Sequence, residues 1–389
     1  MINENIFLFA TNIFIYVLCG GMLLVLPRIT RKSFLFGVKI PQEEADSPEA
    51  LKLRRRYACV CLLGIIALLA ICTVQFFLLP DFTLMATVYF PLLIIPLFFA
   101  AFVPNWKKAT QLKAEKGWQV SNVVFAETTS SHTRGNLSAL PWGWYAISLV
   151  IIVLTMAFSV ARYPSLPDMI PVHFDANMQP TRYVPKTVFS VLQMPLINLA
   201  MLAIFVPVAI WIEKVKLQID QASPRVSFVQ HRTYRKRMGN AMGFLALMMV
   251  IMIGTLGAAI YYPMSPEAGA YVFWGSMALT IIPIAALLAV VITTGQGGCK
   301  VKVDLSELET ENEAAAAVKS NKVIGRGDDK FWKLGMFYYN PDDPAYIVED
   351  RFGTNLGFNY GRLPVLIGVA LLGVSLVVTY VWITVAILV

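Results

Sequence analysis

Runs of apolar residues, each about 20 long, recur along this chain, and almost every charge lies between them. A helix of about 20 apolar residues crosses a hydrocarbon core of roughly 30 Å. Backbone polar groups inside lipid must bond within their own segment, so each run is predicted to be a transmembrane helix. The eight predicted spans are Ile6–Leu26, Tyr57–Leu79, Leu84–Val103, Trp142–Ala161, Thr187–Ile212, Met238–Tyr261, Ala270–Thr293 and Pro364–Ile387. The first span has no basic segment before it and no small-residue cleavage site after it, so it reads as a retained helix. No span centre carries Asp, Glu, Lys or Arg, residues that would flag an ion or proton path there. Asn12, Gln75 and Asn198 are polar spots within spans, expected to bond between helices.

Composition agrees. Of 389 residues, 57% are hydrophobic and only 14% charged, against about 25% charged in ordinary soluble domains. The net charge of +8 is mainly a topology signal. Loops 27–56, 104–141, 213–237 and 294–363 hold 29 of the 32 Lys and Arg residues, leaving Arg162, Arg182 and Lys186 on the other side. Basic loops stay in the cytoplasm. The four basic loops are therefore expected inside and both termini outside, with no nucleic-acid partner. Trp106, Trp142, Trp144, Trp211, Trp274 and Trp382 fall near span ends, as an aromatic belt requires. None of the five cysteines is predicted outside, where disulfides persist.

The expected fold is an all-α integral membrane bundle of eight helices. The regions are 1–141 (helices one to three), 142–212 (helices four and five with outer loop 162–186), 213–293 (helices six and seven), a linker 294–327, a small β-rich cytoplasmic module 328–362, and the last helix 363–389. Leu93-Ile94-Ile95-Pro96 and Thr280-Ile281-Ile282-Pro283 each follow a short outer loop. With the basic stretches opened by Ser47-Pro48 and Ser223-Pro224, they suggest two parallel four-helix halves, a pattern common in transport folds. Pro91, Pro96, Pro195, Pro207 and Pro283 are expected to kink their helices. The basic run His231–Arg237 adjoins the sixth span; attraction of anionic lipid is one reading, and its topological role alone accounts for it as well.

The loop 162–186 is proline-rich and contains Leu166, Pro167, Ile170, Pro171, His173, Phe174 and Pro180. These residues resemble a bacterial domain of unknown function with the pattern L-P-x-x-I-P-x-H-F-x-x-x-G-x-P-D, shared with SdpI-type immunity proteins. Met178 replaces the usual Gly, and Thr181 an acidic residue. The resemblance implies protection against, or signalling of, a membrane-active toxin. His173, Asp168, Asp175 and Phe174 are the candidate ligand contacts. One His with two Asp is too few for a zinc site, and a loop-pinning hydrogen bond is the plainer role for His173. Gly37, Lys39 and Pro41 resemble the G-x-R-x-P element of the same immunity proteins, with Lys39 in place of Arg.

The last inner loop carries Trp332, Gly335, Phe337, Tyr338, Asn340, Pro341, Asp342, Asp343 and Pro344, then Arg351, Phe352, Gly353, Gly357, Asn359 and Gly361. Its strand and turn punctuation resembles a second uncharacterised bacterial domain, W-x-x-G-x-F-Y-x-N-P-D-D-P followed by R-F-G and G-x-N-x-G. Trp332, Asn340, Asp342, Asp343 and Arg351 are its candidate functional residues. Asp342 and Asp343 suit an Asx turn better than a cation site. The sequence carries no HExxH, GxSxG, CxxC pair or phosphate-binding glycine loop, so neither an enzyme, a metal nor a cofactor is expected. The expected function is envelope defence or stress sensing. The expected partners are the bilayer, a peptide or lipid ligand outside and a protein inside. The rival expectation is a transporter or flippase for a lipid or small hydrophobic solute.

Overall fold

A computed structural model describes residues 4–119, 125–126, 140–174, 179–214, 218–219, 224–262, 265–303, 326–352 and 357–388. Eight helical stretches among them are long and apolar enough to cross a membrane, which marks the chain as a multi-pass membrane protein in a lipid bilayer. In chain order, the longer elements are α1 (Glu4–Ile29), α2 (Pro48–Leu78), α3 (Thr83–Tyr89), α4 (Ile94–Glu115), α5 (Trp142–Arg162), α6 (Val188–Lys214), α7 (Pro224–Ala258), α8 (Pro266–Thr294) and α9 (Leu363–Leu388).

Each predicted span has its helix, but several helices outrun their apolar stretch. Helix α2 starts nine residues before Tyr57 because Ser47 caps it. The Ser47 hydroxyl accepts from the Ala50 N–H at 3.4 Å, and Pro48 occupies the first turn, where its missing N–H costs nothing. Helix α7 likewise begins at Pro224, well before Met238. The third span is not one α-helix. A 3-10 turn at Phe90–Leu93 separates α3 from α4, because Pro91 removes a backbone donor there.

The chain forms two compact units. One comprises Ser131–Lys214 and Arg232–Thr293, with the first four residues; the other comprises Asn5–Ser130, Val215–His231 and Thr294–Val389. In the first unit, α5, α6 and α7 bury Tyr145, Ile152, Leu202, Ala209, Ala246 and Val250. Asn198 donates to the Val250 carbonyl at 3.1 Å, tying α6 to α7. In the second unit, Leu35, Phe36, Ile40, Tyr57, Cys61, Phe102 and Phe352 form the main core. Asn12 donates to Thr87 at 2.9 Å and joins α1 to α3. Gln75 donates to the Leu79 carbonyl at 2.8 Å at the end of its own helix and to the Thr83 hydroxyl of α3 at 3.4 Å.

Short antiparallel ribbons occupy the connections. They are β1 (Phe34–Leu35) with β2 (Val38–Lys39), β3 (Phe125–Ala126) with β6 (Gln218–Ile219), and β4 (Met169–Phe174) with β5 (Pro180–Pro185). The module adds β7 (Trp332–Lys333) with β8 (Phe337–Tyr338), and β9 (Ile347–Val348) with β10 (Gly357–Phe358). A parallel bridge from Tyr338 to Asn359 joins its two ribbons. Trp332, Tyr338 and Val348 form its core. The acidic, Ala-rich part of the linker lies outside the described residues.

Candidate functional site

The proline-rich loop is a bulged β-hairpin. Ile170 pairs with Val184, Pro171 with Tyr183 and His173 with Arg182, and the register slips around Val172. The base is fixed by burial: Leu166, Ile170, Val191 and Ile260 cluster beneath it. The Lys186 ammonium donates to the Leu166 carbonyl at 2.7 Å and closes the hairpin. The far end is exposed, with Thr181, Arg182 and Tyr183 facing outward beside His173, while Phe174 is half-buried.

His173 Nδ1 lies 2.6 Å from the Thr181 hydroxyl, and that hydroxyl also lies 3.3 Å from the His173 carbonyl. Thr181 is the position where the resembling pattern carries an acid, so the side-chain hydrogen-bond partner of His173 is the substituted residue. Asp168 does not join His173; its carboxylate is 3.9 Å from Lys186. Asp175 and Met178 lie outside the described residues. The surface offered is thus an imidazole, a guanidinium and a phenol ring on a rigid base, groups favoured at recognition surfaces.

The second constellation lies in the other unit and unites motifs that are far apart in sequence. Phe36 and Gly37 form the turn of the β1–β2 ribbon with φ of 49° and 78°, and Leu334 and Gly335 form that of β7–β8 with φ of 53° and 76°. The two turns lie back to back, so that a Cβ on either glycine would collide with the backbone of the other turn. The Arg351 guanidinium donates to the Gly37 carbonyl at 3.1 Å and to the Arg326 carbonyl at 3.1 Å, and pairs with Asp329. It lies over the rings of Trp332 (4.8 Å) and Phe34 (5.3 Å). Asp329 also receives the Lys113 ammonium of α4 at 2.6 Å and the Lys39 backbone N–H at 3.3 Å. Lys39 therefore contributes its backbone to this junction, and Pro41 leads into the 3-10 turn at Gln42–Asp46.

Within the module, Asp343 is fully buried and accepts four hydrogen bonds: Arg326 Nε at 2.6 Å and Nη2 at 2.9 Å, Tyr338 at 3.1 Å and the Ala345 N–H at 3.0 Å. Burial opposes its ionisation, but the Arg326 fork and the Ala345 N–H outweigh burial and hold its pKa below the usual range. Burial beside this carboxylate pushes Tyr338 up to about 12. Asn340 closes an Asx turn with its side-chain oxygen on the Asp342 N–H at 3.0 Å. Asp342 itself is exposed. Asn359 accepts from the Asn340 N–H at 3.0 Å and donates to the Asn340, Asp343 and Ala345 carbonyls at 2.8, 3.0 and 3.1 Å. The motif residues of this module are thus spent on holding one another.

A third group was not legible as a site in the sequence. Arg31 follows α1, His231 sits in the first turns of α7, Glu349 follows β9, and all three converge. Arg31 pairs with Glu349, and Arg31 Nη2 lies 3.0 Å from His231 Nε2. The arginine is an obligate donor, so Nε2 carries the lone pair and the ring proton sits on Nδ1, 3.6 Å from Glu349. His231 and Glu349 are each 1% exposed, so His231 does not face lipid as the basic run suggested. Beside Glu349, the Asp350 carboxylic acid is pushed up to about 7, chiefly by burial. The floor of this latch is Gly297, at φ 59°, where a Cβ would strike Arg31, His231 and Glu349. Gln296 donates to the Asp350 carbonyl at 2.7 Å. The only sequence signal was the run Thr294-Gly-Gln-Gly-Gly-Cys299 after the seventh span. Three of its glycines adopt positive φ.

A family model described as a domain of unknown function (DUF1648) matches residues 150–199, from within α5 through the histidine hairpin into α6. No curated protein and no solved structure matches the chain.

Proposed function

We propose that this chain is a bacterial plasma-membrane protein of envelope defence or stress sensing that meets a peptide or other envelope ligand at the His173 hairpin. The distribution of Lys and Arg supports placing that hairpin and both termini outside, with the 328–362 module inside. The observation that carries the reading is the hairpin itself. Four buried apolar residues brace its base, while His173, Arg182 and Tyr183 stand exposed on its outer part. A braced strand pair with an exposed imidazole suits ligand capture better than a flexible linker does. The inner module, clamped by Arg351 to the β1–β2 turn, is the natural partner-facing relay.

The test is deletion of the gene, challenge with a broad panel of membrane-active peptides, and complementation with the intact chain or His173→Ala. Expected is increased sensitivity, or lost induction of a response, restored by the intact chain and not by His173→Ala at equal protein level. Unchanged sensitivity and induction across the panel would overturn the proposal. A transporter or flippase is the second reading, supported by the helix break at Phe90–Leu93 and by Pro195, Pro207 and Pro283 inside α6 and α8. The four-plus-four repeat belongs to that reading. Lipid or solute movement by the purified chain in proteoliposomes would favour it.

A further inference from the structure

The basic residues of α2 and α4 fall into two groups. Arg54 faces Asp46 at 3.7 Å and Lys113 pairs with Asp329 at 2.6 Å. Lys52, Arg55 and Arg56 on α2 and Lys107 and Lys108 on α4 are exposed and make no ion pair among the described residues.

The residues of α2 in the second group continue its exposed apolar stripe. On α2, Lys52, Arg55 and Arg56 share one helical face with Cys59, Leu62, Leu63, Ile66 and Val74, at spacings of three and four. Leu63 is 67% exposed and Ile66 53%, whereas Leu53, Tyr57, Cys61, Ile65 and Leu68 on the opposite face are buried. Cys59 to Leu78 covers about 30 Å at 1.5 Å per residue, enough for the hydrocarbon core. Lys52 to Arg56 then sit about 4–10 Å beyond its edge, at headgroup depth.

The two helices run antiparallel in a fixed register. Lys116 pairs with Glu49 at 2.9 Å at one end, and Gly64 packs against Leu97 further in. That register brings Lys107 and Lys108 level with Arg55 and Arg56. Topology alone requires basic residues in a loop; it does not require them exposed, without ion pairs and at one level of two packed helices.

We propose that this paired stripe is a binding site for an anionic phospholipid. Its headgroup phosphate is held by Lys52, Arg55, Arg56, Lys107 and Lys108, and its acyl chain lies along Cys59, Leu62, Leu63 and Ile66. The continuity of the cationic and apolar stripes fixes the occupant as a bilayer lipid, because a free phosphate would use only the cationic end.

The test is native mass spectrometry of the full chain in detergent, titrated with phosphatidylglycerol, phosphatidylcholine or inorganic phosphate. Expected is retention of phosphatidylglycerol over phosphatidylcholine, not displaced by inorganic phosphate. Replacing the five basic residues by Gln should lower retention about tenfold or more. Exchanging Lys for Arg and Arg for Lys at the same positions should preserve it. Equal retention of the two lipids by the unmodified chain, displacement by inorganic phosphate, or unchanged retention in a folded Gln variant would each overturn the proposal. The first two outcomes are read on the unmodified chain and do not depend on any variant folding. None involves His173, so failure here is distinct from failure of the envelope-sensing reading.

Discussion

Glu349→Ala should open the Arg31–His231–Glu349 latch, and Cys299 reports the opening. Glu349 is 1% exposed and Arg31 18%. Removing one member of a buried charge pair costs about 3–5 kcal/mol, mostly because the other charge is left unpaired. Arg31 keeps partial access to water, so the low end, about 3 kcal/mol, applies. Cys299 lies two residues beyond Gly297, the floor of the latch, and its thiol approaches the Ile29 carbonyl at 3.6 Å. Burial holds this thiol's pKa above its usual value against the pull of Arg31 and Lys300, so it is slow to react while the latch is closed. In a chain with Cys299 as its only cysteine, the maleimide labelling rate follows the open fraction. A loss of about 3 kcal/mol then raises that rate about a hundredfold, at a factor of ten per 1.4 kcal/mol. Glu349→Gln keeps the shape without the charge and should fall between. Adding Arg31→Ala to Glu349→Ala should recover part of the loss, because no unpaired charge remains. Labelling of Glu349→Ala at the unmodified chain's rate would refute the view that this cluster holds the segment closed.

The adjacent aspartates of the module should behave oppositely. Asp343→Ala strands the buried Arg326 and should cost about 3–5 kcal/mol in denaturant stability, whereas exposed Asp342→Ala should cost less than about 0.5 kcal/mol. Equal effects would contradict the assignment. Asp350 has a folded pKa raised to about 7 from an ordinary 3.8. Its stabilising contribution is therefore full below about pH 4, declines as pH rises and is gone above about pH 7. Thermal midpoints measured across that window should fall in the unmodified chain relative to Asp350→Asn, and parallel curves would exclude the burial argument.

The membrane class, the number of spans and their approximate bounds were legible because lipid imposes one local rule: about 20 apolar residues in helical form. That rule acts on contiguous residues, so sequence carries it. Turn chemistry was legible for the same reason at Asn340–Pro344, where an Asx turn needs only neighbouring residues. Helices α2 and α7 start upstream of their apolar stretches because a helix can run on through charged residues that a hydropathy pattern excludes, in α2 from the Ser47 cap.

What pairs with what was decided only by the tertiary structure. Gly37 and Gly335 belong to separate motifs in the sequence, yet Gly335 occupies the space of a Gly37 Cβ, and the Phe36 carbonyl and Trp106 occupy that of a Gly335 Cβ. Arg351 read as part of an R-F-G motif, yet its donors reach Gly37 and Asp329 and its flat face covers Trp332 and Phe34. His231 read as one residue of a basic surface run, and burial against Arg31 and Glu349 removed it from that surface. Arg31 and Glu349 are 318 residues apart in the chain and Arg351 and Gly37 are 314, and a buried charge must find a partner wherever the fold supplies one. Sequence sets the cost of burying such a group; only packing decides which distant residue meets it.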